Sequence, residues 1–162
     1  MTRLLALDVG EVRIGVAVSD ATGLLASPYT TLHVPRSEKQ LWTALQQIVD
    51  ETEAEGIVVG LPVSLDGAIH AQGERILAFA ERLKAHISLP VSFWDERLST
   101  VEAERLLLHR PSGAGRKPRR SGQSHSRKSR QRGHELDALA ATVILQEYLD
   151  SLRSSKQEEK EL

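Results

Sequence analysis

The chain has no cysteine at any of its 162 positions. Disulfides and thiolate metal sites are therefore excluded, and the absence fits a reducing, cytoplasmic setting. No apolar run approaches the ~18–20 residues needed to span a bilayer, so no membrane partner is expected. The opening MTRLLALDVG is briefly apolar, but Asp8 interrupts it and no small-residue cleavage site follows. It does not read as a signal peptide. Internal repeats are absent too.

What is present is an uneven distribution of charge. The net charge is −1, yet residues 110–132 (RPSGAGRKPRRSGQSHSRKSRQR) hold nine Lys or Arg and no acidic residue. The rest of the chain holds 12 basic against 22 acidic residues. Such a segment is either a solvated insertion or a holder of polyanions, its Gly/Ser spacing suited to phosphates rather than bases. Polyanion binding is the better reading, which makes Arg116, Lys117, Arg119, Arg120, Arg127, Lys128, Arg130 and Arg132 candidate substrate contacts.

At 40% apolar composition the chain fits one domain, over residues 1–152, with a basic insertion at 110–133 and a polar tail at 153–162. LLALDVG and RIGVAVSD read as a hairpin, and YTTLHV as a third strand between Pro28 and Pro35. A helix follows, with Ser37 and Gln40 at capping-box spacing and Gly56 closing it. GIVVG is a short buried strand, and GLPVSLDG a loop with a turn at Asp66-Gly67. A helix spans residues 70–86, with Ile76, Leu77, Ala80 and Leu83 inward. VSFW is the fifth strand. Ser99 and Glu102 open a helix to His109, and the last helix spans residues 135–152. Tightly joined strands followed by alternating strands and helices predict an α/β fold. Its five-stranded mixed sheet is antiparallel on the hairpin side and parallel on the other, with helices on both faces.

Three acidic positions are expensive in this fold. Asp8 interrupts an apolar strand, and an unpartnered buried carboxylate costs several kcal/mol. Asp95-Glu96 ends a strand where open α/β sheets bind ligands. Asp137 shares a helical stripe with Ala141, Ile144 and Tyr148, so it faces the sheet. Taken singly, each has an ordinary explanation: a cap, a pairing of Glu96 with Arg97 or Arg13, an early-helix charge. Together they fit carboxylate ligands for hard divalent cations, two of which can activate a water on a phosphodiester. Arg13 either holds a phosphate or pairs with a neighbouring carboxylate. Gly10 and Gly15 either supply turn conformations or also let a nucleic-acid backbone approach. Trp42 and Trp94 read as core. His33, His70, His86 and His109 read as surface residues.

The stretches ALDVGEVRIGVAVSD, IVVGLPVSLDG, FWDERLSTVEAERLL and ELDALAATVILQEYL resemble, in order and position, the YqgF/RuvX family. The resemblance implies an RNase H-like fold and a metal-dependent nuclease. The family is described both as trimming pre-16S ribosomal RNA and as resolving Holliday junctions. It implies that Asp8, Glu96 and Asp137 are the catalytic metal ligands for Mg2+ or Mn2+, two ions in all. Asp8 would bridge them from the first, central strand, and Glu96 would come from the end of a neighbouring parallel strand. The partners implied are structured RNA such as pre-rRNA, or branched or single-stranded DNA; junction cleavage would also call for a homodimer. Two features depart from the family pattern. The basic segment is longer than its usual turn, and His134, one helical turn before Asp137, resembles the arrangement in the separate RuvC resolvases. His134 is thus a possible catalytic residue. The competing classes are a non-catalytic nucleic-acid binder and an actin-like ATP-binding protein, which needs two such domains.

Overall fold

The computed structural model describes residues 2–64, 66–96 and 125–160, the last with side chains from residue 135 onward. Five strands form one sheet: β1 (Leu4–Val9), β2 (Arg13–Ser19), β3 (Ala26–His33), β4 (Gly56–Leu61) and β5 (Val91–Asp95). The described helices are α1 (Glu38–Thr52), α2 (Ala71–His86) and α3 (His125–Glu158). The strand order is β3-β2-β1-β4-β5. β1 and β3 run antiparallel to β2, while β1, β4 and β5 run parallel. The expected mixed sheet is borne out, with β1 at its centre. No described helix is long and apolar enough to cross a membrane.

β1 is apolar along its length because both its faces are covered. Its Leu5 and Leu7 join Leu41 and Leu45 of α1 and Ile76 and Leu83 of α2 in one core. Ala6 points the other way, into a core with Ala17, Val58 and the α3 residues Ala141, Ile144 and Leu145. Small side chains on the α3 side let that helix lie close to the sheet. α2 buries Phe79 beside Ile76, Ala80 and Leu83, whereas Leu77 is only half-buried.

Several element boundaries differ from the sequence reading. β3 begins at Ala26 and contains Pro28, which the sequence placed before it. An edge strand tolerates proline, and here the register slips so that Val16 pairs with Thr30 and Ala17 with Pro28, leaving Tyr29 as a bulge. α1 ends through Glu53, held left-handed at φ 54°. Gly56 instead opens β4, buried. Ser37 occupies the N-cap of α1, but its side chain makes no cap bond. Only its carbonyl is used, accepting from the Gln40 N–H at 3.2 Å.

The largest difference is α3, which continues past residues 135–152 at both ends. Arg, Lys and Gln are strong helix formers, and extending a docked helix avoids the cost of nucleation. Residues 125–133, read as the end of a loop, are therefore helical, as is most of the tail. The helix expected over residues 99–109, with Ser99, Thr100, Glu102 and His109, lies outside the described residues, as does Arg97.

Candidate active site

The strand registers assemble the site around Asp8. Asp8 follows the alternation of Leu4 and Ala6, so it faces α3 near the end of β1. Its partner on β2 is Gly15. On the other side Gly60 of β4 lies one step beyond the pair Leu7↔Val59. Glycines therefore bracket Asp8 on both neighbouring strands.

Each glycine makes room for one of the other two carboxylates. A Cβ on Gly15 would overlap the backbone carbonyl of Asp137, so α3 rests directly on bare strand there. A Cβ on Gly60 would stand 2.5 Å from Glu96 Oε1 and 2.6 Å from Ile144 Cδ1, so the Glu96 carboxylate folds back over Gly60. Neither glycine has a positive φ; among the described glycines only Gly23 and Gly67 do. The expectation of a turn role is thus corrected for Gly15 and holds for Gly10. Gly15 is required by helix approach. Gly10 is required by the tight hairpin, where its N–H donates to the Arg13 carbonyl at 2.9 Å and a Cβ would crowd that oxygen. Asp66-Gly67 is the turn expected, with Gly67 at φ 84° and Asp66 Oδ1 accepting from the Ala68 N–H at 2.9 Å.

Electrostatics links the carboxylates in a chain. Burial, with the Asp137 charge adding to it, pushes Asp8 up to about 6. Burial, followed by the charges of Asp8 and Asp95, pushes Glu96 up to about 7. Asp8 is therefore the middle member, coupled to each of the others. Of the two alternatives for Arg13, the structure shows the carboxylate pairing: its Nε lies 2.8 Å from Asp137 Oδ2. The approach is off-line, and the buried Oδ2 accepts no hydrogen bond among the described residues. Among those residues no three acidic or imidazole groups stand close enough to hold one ion together. The arrangement is two coupled pairs sharing Asp8.

Glu96 reaches the site by a longer route than expected. β5 is a half-buried edge strand that pairs with β4, not with β1. Glu96 therefore has to cross β4, and Gly60 is what lets it do so. Trp94 lies half-buried on the same face, its Nε1–H donating to Glu147 Oε2 at 3.0 Å and its ring edge-on to Tyr148. Trp42 is core as expected, stacked on His86 at 4.8 Å.

Arg116, Lys117, Arg119 and Arg120 lie outside the described residues. Arg127, Lys128, Arg130, Arg132 and His134 lie on the first turns of α3, ahead of Asp137, with side chains outside the description.

Residues 2–151 match the family described as RuvX: Holliday junction resolvase. The chain belongs to the RuvX family. A relative from Caldanaerobacter subterraneus subsp. tengcongensis is 41% identical over 153 residues, 94% of this chain and 99% of the relative. One from Roseiflexus sp. is 41% identical over 155 residues, covering 93% and 96%. Both carry the name "Putative pre-16S rRNA nuclease". Among solved structures, a T. thermophilus RuvC in complex with Holliday junction substrate superposes with a TM-score of 0.53 at 14% identity, covering 94% of this chain and 96% of that one. At that identity the likeness concerns the fold, and it agrees with the RNase H-like expectation. Family membership bears out the resemblance and, with the relatives' name, the nuclease reading.

The RuvX residue that sequence reasoning missed is Gly60. GIVVG reads as an apolar strand, and only the cross-strand register reveals that its last glycine lies beside Asp8.

Proposed function

We propose that this RuvX chain is a cytoplasmic, divalent-metal-dependent nuclease that hydrolyses RNA phosphodiesters in 5′-end maturation of pre-16S rRNA. The observation that carries the reading is Asp8, bracketed by glycines and coupled to Asp137 on one side and to Glu96 on the other, with Arg13 as the described cation against Asp137. A buried carboxylate oxygen without a hydrogen bond, and two carboxyls raised by burial first and by neighbouring carboxylate charge second, are the marks of a set built for a cation.

Asp8, Glu96 and Asp137 are the residues that would hold Mg2+ or Mn2+ in this reading, Asp8 being the one coupled to both of the others. Bound ions supply a polarised water and neutralise charge at the phosphorus and the departing oxygen. As ligands, Asp8 and Glu96 would serve in their carboxylate form. Asp137 leans away from Arg13 toward Asp8, which frees the guanidinium for a substrate phosphate. The strand mounts of Asp8 and Arg13 keep the groups in place. The basic residues at the start of α3 and before it, Arg116 to Arg132, hold the phosphate backbone, and His134 stands as a further acid–base candidate.

The test is one preparation offered a precursor 16S RNA, single-stranded DNA and a four-way DNA junction, with Mg2+, Mn2+ or chelator. Metal-dependent trimming of the RNA 5′ end, lost in Asp8→Asn, is the expected result. Metal-independent cleavage, or cleavage by Asp8→Asn equal to wild type, overturns the assignment. The family's own description favours a second reading, junction resolution. That activity needs two sites acting together, so it predicts symmetric junction cleavage by a dimer.

A further inference from the structure

Beside the carboxylates, a groove of about 520 Å³ runs between β3 and α3. We infer that this groove seats one unstacked base of the substrate strand, next to the bond that is cut. The inference rests on the nuclease reading and adds to it a base-binding subsite.

The position of the groove ties it to the reaction. Its strand wall includes Thr31, which pairs with Gly15 on β2, the residue on which the Asp137 turn rests. Its helix wall includes Ala138, the residue after Asp137, and Leu139. A strand whose phosphate lies at Asp8 and Asp137 has its neighbouring base within reach of this opening.

The chemistry of the walls selects a base over a phosphate. Among the described residues lining the groove there is no Lys or Arg, and the one charge is that of Glu135. An anionic mouth repels phosphate but accepts hydrogen bonds from the amino groups that bases carry on their pairing edges. Pro28, Ala138 and Leu139 offer apolar surface to a ring, and Leu139 is 48% exposed. The rim is held in place as well. Tyr29, the bulge residue of β3, donates its hydroxyl to Glu51 Oε2 of α1 at 2.6 Å. That bond ties the edge strand across to the opposite layer, so the groove is shaped before any ligand arrives.

The experiment is a base-removal scan. A single-stranded RNA substrate carries an abasic unit at successive positions around the cut, and binding is measured in the uncut Asp8→Asn background. One position next to the cut should lose about tenfold in affinity. Adding Leu139→Glu should lower affinity for the intact strand by a similar factor and abolish the penalty for removing that base. Leu139→Ala, which adds no charge, should do the same more weakly and covers the case of a glutamate variant that folds poorly. Leu136→Glu, equally exposed on α3 but outside the groove, should keep the full base dependence. A base penalty that survives in both Leu139 variants, or no penalty at any position, overturns the subsite while leaving the nuclease intact. A wild-type chain that neither binds nor cuts RNA or DNA overturns the nuclease reading itself, and the subsite with it.

Discussion

Arg13 Nε lies 2.8 Å from Asp137 Oδ2, and both side chains keep about a third of their surface in solvent. The pair joins the first turn of the hairpin to the helix that carries Asp137. It also places the cation where it offsets the repulsion between Asp137 and Asp8. Removing one member of a partly buried pair leaves the other charge uncompensated. Arg13→Gln should therefore destabilise the metal-free protein by about 1–2 kcal/mol, after discounting for solvent. The check is a thermal melt with chelator and again with saturating Mn2+. Metal should restore more stability to the variant than to the wild type. Equal melting of both proteins in chelator would remove Arg13 from its counter-ion role.

The raised carboxyls give the metal-free protein a characteristic pH response. Asp8 titrates near 6 and Glu96 near 7 in the fold, whereas both titrate near 4 in an unfolded chain. Between those limits the folded state holds more protons than the unfolded one, so stability falls as pH rises. Below about pH 4 both states are protonated and the penalty is absent. Above about pH 7 it is complete. For Asp8 the loss is about 2 kcal/mol once partial exposure is allowed for. Denaturant melts with chelator from pH 4 to 8 should trace this decline, and saturating metal should oppose it. Stability that rises through this window would contradict the clustered carboxylates.

Asp8→Asn separates function from stability. The amide keeps the shape of the side chain but removes the charge that Asp137 and Glu96 feel. Cleavage should fall below detection. In chelator at pH 8 the variant should be more stable than wild type by about 1–2 kcal/mol, and at pH 4 the two should be alike. A variant that is less stable at both pH values would mean that Asp8 is a structural hydrogen-bond partner instead.

How much of this was legible in the sequence follows from which forces act locally. Asp8 and Asp137 stand out because Asp8 interrupts a continuously apolar strand and Asp137 sits in an apolar helical stripe of period 3.6. Glu96 stands out only by its place at a strand end. The mixture of antiparallel and parallel pairs follows from connection lengths, since hairpins pair antiparallel and helical crossovers pair parallel. Gly60 and Gly15 are different. Their importance lies in what crosses above them from distant parts of the chain, and no local period records that. The extent of α3 was misread for the opposite reason. Its basic residues carry helix propensity but no apolar stripe, so the sequence showed charge where the fold continues a helix.

That continuation shapes the prediction for substrate binding. Arg127, Lys128, Arg130 and Arg132 lie on the same helix as Asp137, in the turns that precede it, which is the placement expected of residues that follow a backbone leaving the site. Changing all four to Gln should weaken binding in proportion across sequences. It should also reduce the slope of log affinity against log salt by about 3 for a single strand. Binding titrations over a range of salt decide it, and an unchanged slope would take these residues out of the phosphate contact.

The two bracketing glycines should respond differently to the same added methyl. At Gly15 the obstacle is the main-chain carbonyl of Asp137, which moves only if α3 lifts from the sheet. Gly15→Ala should therefore cost more than about 3 kcal/mol and lower cleavage through loss of fold. At Gly60 the obstacles are the ends of two side chains, Glu96 and Ile144, which can turn aside. Gly60→Ala should cost about 1 kcal/mol and still fold, yet cleavage should drop by tenfold or more because the Glu96 carboxylate is displaced from Asp8. Metal titration followed by calorimetry checks the cause, since affinity in Gly60→Ala should fall with the rate. Full activity in a well-folded Gly60→Ala would show that Glu96 does not need its seat over β4.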